Sequence, residues 1–138
     1  IFEEDFDEKT NINLELEYLI DYENEGNEAE IFNAVEDMSR KLEEELENNE
    51  LTEYDTEKIQ IEIYQLWDDE LNHLWEYLKE TVDEQTMQKL LLEQREWIEK
   101  KEQTIQTLQN NDGESLTYPY QAEITRKRVY ELTEYIQE

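Results

Sequence analysis

His73 is the only histidine in the chain, and there is no cysteine. A histidine metal cluster, a Ser-His-Asp triad, a thiolate metal site and a cysteine nucleophile therefore cannot be assembled from it. His73 lies at helical spacing beside Asp69 and Tyr77, and the pattern puts it on a solvated flank.

Paired carboxylates could do general acid and base work across a cleft, as in glycoside hydrolysis. With 40 acidic residues, such pairs arise by chance along the whole chain. Asp68-Asp69-Glu70 and Glu43-Glu44-Glu45 are accordingly read as solvated helix faces. Neither a glycine-rich phosphate loop nor a nucleophile elbow is present. Asn110-Asn111-Asp112-Gly113 has the outward look of a calcium loop. With Gly113 at its sixth position, however, the first and twelfth positions fall on Leu108 and Pro119, which cannot supply the end ligands. No catalytic residue, metal site or cofactor is expected.

Polar residues that interrupt apolar faces carry more information. Asn72 adjoins Leu71, Gln94 and Trp97 share one helical face, and Thr125 and Arg128 stand one turn apart. A buried amide or guanidinium is costly unless partners are supplied. These side chains are expected to join in a hydrogen-bond network between helices.

The elements that must hold them are helices. Two glycines and one proline punctuate 138 residues, and Glu, Leu, Gln and Lys favour helix over strand. Ile31, Val35, Met38, Leu42 and Leu46 recur at spacings of three and four and predict a helix from about Glu28 to Asn48. A second runs from about Thr56 to Thr81, with Asp55 or Thr56 as its N-cap. A third runs from about Glu84 to Gln109, and the short link makes the pair an antiparallel hairpin. Asn110 to Tyr120 reads as an irregular loop, and a last helix follows from about Tyr120 to Ile136. The fold class is all-α, a three- to four-helix bundle in residues 31–138. An acidic segment, residues 1–30, precedes it, and its pattern is compatible with either strand or helix.

Charge narrows the partners. Twelve bases oppose the 40 acids, a net charge of −28, and residues 1–57 hold 22 acids against three bases. Nucleic acid and anionic lipid are excluded by repulsion. A basic protein, a cation or solubility alone remains, and the same repulsion favours a monomer.

The polar positions also carry a family likeness. Asp68, Leu71 and Asn72, then Gln94, Trp97 and Ile98, then Thr125 and Arg128 follow the order and spacing of three linked motifs. Over about Tyr64 to Ile136 the chain resembles the LprI-like lysozyme-inhibitor family. Trp75 replaces the family's tyrosine, Lys101-Glu102 replaces its Arg-Asp pair, and its cysteines are missing, with Ile105 where the first would fall. The resemblance implies an extracytoplasmic helical domain, secreted or lipid-anchored, that binds lysozyme rather than catalysing a reaction. The alternative is a structural or interaction domain of the cell envelope. Asp112, Glu114, Ser115 and Tyr118, in the irregular stretch, are the candidate contacts, and the eight motif positions are read as fold determinants.

Overall fold

The structure is a computed structural model that describes residues 27–112 and 117–137. Four helices appear among them: α1 (Glu28–Glu45), α2 (Glu53–Thr81), α3 (Glu84–Asp112) and α4 (Thr117–Thr133). The all-α bundle expected from the sequence is present. The acidic segment up to residue 26 lies outside the described residues.

Three of the four helix starts have an identifiable cause. Asn27 Oδ1 accepts from Glu30 N at 2.8 Å, Thr52 Oγ1 from Asp55 N at 3.0 Å, and Asp83 Oδ1 from Thr86 N at 2.7 Å. Each satisfies an amide that the first turn leaves without a helical partner. The amide of Thr86 holds the Asp83 carboxyl below its ordinary range. Thr52, not Asp55 or Thr56, caps α2. The helix thereby gains a turn, and Asp55 falls inside its positive end, where a carboxylate is favoured.

Two boundaries move more. α3 continues to Asp112, and α4 begins at Thr117, so most of the expected irregular loop is helical. Pro119 does not prevent this, because it sits in the first turn, where its missing N–H would have had no helical acceptor.

α2 is the central helix. Ile63, Tyr64, Gln65, Leu66, Trp67 and Asp68 are buried in succession, which happens only to a helix covered on every side. α4 packs against it most extensively, and α1 packs against it as well. Lys101 of α3 lies over the Tyr64 ring of α2, Nζ to centroid 5.5 Å. The two residues are equally distant from the link between Thr81 and Glu84, so α2 and α3 run antiparallel. Leu66, Leu74 and Leu78 of α2, Leu90 of α3, Val35 of α1 and Val129 of α4 are fully enclosed in one core. Each such side chain contributes roughly 1.5–3 kcal/mol over its exposed state.

Burial corrects two readings of the sequence. Asp68 and Glu70 are not on a solvated face: they are 4% and 1% exposed, because α2 has no solvated face at this level. His73 is not on an open flank either. It is half-buried, with Nε2 2.9 Å from the Glu28 carboxylate at the start of α1.

Candidate functional site

Three helices, α1, α2 and α4, share one cluster of side chains. On α1, Phe32, Glu36, Ser39 and Glu43 recur at three- and four-residue spacing and so share one face. On α4, Arg126 and Tyr130 are one turn apart. Trp67 of the central helix lies between these two sets. Its indole Nε1 donates to Ser39 Oγ at 2.9 Å, and the Ser39 hydroxyl donates to Glu43 Oε2 at 3.1 Å.

Arg126 closes the arrangement. Its guanidinium lies 5.3 Å from the Trp67 ring centroid and 5.7 Å from that of Tyr130. Nη1 is 3.0 Å from Glu43 Oε2 and Nη2 is 3.4 Å from Glu36 Oε1. Partial burial works against its charge, but the Tyr130 hydroxyl and the two carboxylates outweigh that and raise its pKa above the ordinary value. Tyr130 also donates to Glu36. Burial, then that bond, raise the phenol above its usual range. Phe32, Trp67 and Tyr130 meet edge to face, with centroids 5.4–6.2 Å apart, the arrangement ring quadrupoles favour.

Beside this cluster opens a cleft of about 270 Å³. Its apolar lining comes from Leu46, Ile63, Trp67, Pro119 and Ala122. Its polar lining comes from Glu43, Gln60, Glu123 and Arg126. Ile63, Trp67 and Ala122 are buried and Glu123 is exposed, so the wall is apolar inside and acidic toward solvent.

The motif positions form a second arrangement between α3 and α4. Arg128 Nε donates to Gln94 Oε1 at 2.7 Å, and both side chains are buried. Arg128 Nη1 is 2.8 Å from Glu131, and Nη2 is 3.8 Å from Glu93. Thr125 is buried on the same helix, but its hydroxyl makes no hydrogen bond with a described residue. Leu71 and Asp68 are buried on α2, whereas Asn72 and Ile98 are half-buried. Trp97 is half-buried too and packs on the core's edge, with Lys101 Nζ 5.2 Å from its ring.

Of the four candidate contacts, Asp112 closes α3, and Tyr118, half-buried against the core, belongs to α4. Glu114 and Ser115 lie outside the described residues. Sequence reasoning did not single out Arg126, Trp67, Ser39 or Glu36 as a site. The legible signal was the Glu36, Ser39, Glu43 spacing opposite a cation-bearing helix in a chain poor in cations.

The family model for the lysozyme inhibitor LprI matches residues 48–132. The chain belongs to that family. The match spans α2 and α3 and nearly all of α4, and it begins after α1 has ended. Both the buried Arg128–Gln94 pair and the cleft's Trp67 and Arg126 therefore fall within the LprI region, whereas Glu36, Ser39 and Glu43 precede it. LprI proteins are inhibitors rather than enzymes. No curated protein and no solved structure matches the chain. Among the described residues no helix is long and apolar enough to cross a membrane.

Proposed function

We propose that this LprI-family domain is an extracytoplasmic inhibitor of a basic lysozyme or related cell-wall hydrolase, secreted or lipid-anchored, and that it acts as a monomer by binding. The family match carries the reading. Electrostatics supports it: a surface of net charge −28 accelerates encounter with a strongly basic enzyme and suppresses acidic competitors. The contact segment we assign is the α3–α4 junction, Asp112, Glu114, Ser115 and Tyr118, next to Pro119 at the cleft.

The test is inhibition of a basic lysozyme at low and at physiological salt, beside an unrelated helical protein of equal charge. Saturable inhibition that survives physiological salt and exceeds the control is the expected result. Inhibition that matches the control, or disappears once exposed charges are screened, overturns the reading and leaves an envelope interaction domain.

A further inference from the structure

We propose that the cleft between α1, α2 and α4 receives one basic side chain, lysine or arginine, of the protein partner. The proposal rests on the inhibitor reading above and gives it a location.

Size comes first. At about 270 Å³ the cleft is below the roughly 300–1,000 Å³ of small-molecule sites, which suits a single long side chain. Its lining matches the two halves of such a side chain. Leu46 and Pro119, with the edges of Ile63 and Ala122 behind them, supply the apolar surface along which an aliphatic stem packs, and Glu43 and Glu123 supply carboxylates for the charged head.

The local charge selects a cation. Arg126 is the one base of the lining, and Glu36 and Glu43 already engage both of its terminal nitrogens. An anionic guest would have to compete with those carboxylates. Glu123 forms no ion pair with any described residue, so the Arg126 group together with Glu123 carries two excess negative charges. Lys127, one turn beyond Glu123 on the same helix, lines the adjoining surface with Glu123, Arg126 and Tyr130 but not the cleft, and counting it still leaves one excess negative charge.

The end of α1 points the same way. Glu43, Glu44 and Glu45 occupy the last turn of α1, which has no basic residue. Carboxylates there add to the negative end of the helix dipole, where cations are the stabilising choice. Leu46, the residue that closes this helix, lines the cleft. The negative potential that destabilises α1 on its own is relieved when a cation enters.

The test is an NMR titration of the full chain with a blocked tri-arginine peptide and with a basic lysozyme, a tri-glutamate peptide serving as control. Saturable shifts of the Trp67 indole N–H and the Gln60 amide are expected with tri-arginine. Glu123→Lys is expected to weaken that binding about tenfold, and Glu80→Lys, the same charge change at the far end of α2, less than about threefold. Both positions are exposed, and circular dichroism checks that both variants fold.

Shifts spread over exposed acids without saturation at Trp67, with equal losses in the two variants, overturn the cleft proposal. Lysozyme inhibition left unchanged by Glu123→Lys overturns it too, while the inhibitor reading stands. Tri-arginine seated at Trp67 without any lysozyme binding has the opposite meaning: the cleft takes a basic side chain, and lysozyme is not the partner.

Discussion

Arg128 crosses from α4 to α3 and donates to Gln94 Oε1 at 2.7 Å, its side chain only 6% exposed. A guanidinium so enclosed depends on each acceptor it has, because desolvation has removed the alternative of water.

Gln94→Ala should therefore lower stability by about 1.5–3 kcal/mol, the range for a hydrogen bond to a charged group. Joint replacement, Gln94→Leu with Arg128→Met, should recover much of the loss, since no buried charge is then left without a partner. Urea unfolding of the three proteins checks both parts. A wild-type midpoint for Gln94→Ala would show that Glu93 and Glu131 suffice.

Glu70 gives a pH dependence. Burial, and after it the nearby Glu28 carboxylate, push its carboxyl well above the ordinary range, and neither oxygen has a hydrogen-bond partner among the described residues. Its folded-state pKa is raised, so its contribution to stability is complete below the unfolded value of about 4.3. That contribution declines as pH rises toward the folded value, because the unfolded chain alone releases the proton. Glu70→Gln removes the dependence. The variant should melt above wild type at pH near 8, with the gap closing toward pH near 4. A gap that is constant across this range would mean that the buried carboxyl titrates as an exposed one.

Ser39→Ala tests the link between α1 and the central helix. It removes the acceptor of the Trp67 indole, and a buried N–H left unsatisfied costs about 1–3 kcal/mol. Trp67→Phe should destabilise less in the Ser39→Ala background than in wild type, since the bond is already gone. Thermal melting of the double-mutant cycle measures that coupling. Strict additivity would remove the bond from the account of α1 docking.

Apolar periodicity made the number and order of helices legible, and the interrupted faces led to Gln94 and Arg128. What escaped is what a single strand of sequence cannot display. Asp68 and Glu70 look solvated in a pattern of acids, but α2 is surrounded, so the opposite sides they occupy are both interior. Trp97 reads as a core residue, yet α3 lies at the bundle's edge and leaves it half-buried. Truncation to alanine should then cost less than the roughly 3–5 kcal/mol of a fully enclosed tryptophan. Asn72 stands among the motif amides in sequence, yet its side chain forms no hydrogen bond with a described residue. Thr52 was passed over as a cap because Thr56 offers the same hydroxyl four residues later. The cleft needed three helices at once, two of them about 80 residues apart in the chain, and no local pattern announces that.

That separation matters for how the molecule is closed. Arg126 meets Glu43 and Glu36 across 83 and 90 residues, so in a chain without cysteine the ends of the bundle are joined by an ionic clasp. A disulfide would act largely by restricting the denatured chain. The clasp exists only once the helices have met, and leaves the denatured ensemble with its full conformational freedom. Closure is accordingly indifferent to oxidants and reductants. The clasp closes a long intervening loop, and its partly exposed charges, unlike the aromatic contacts beneath them, are screened by salt.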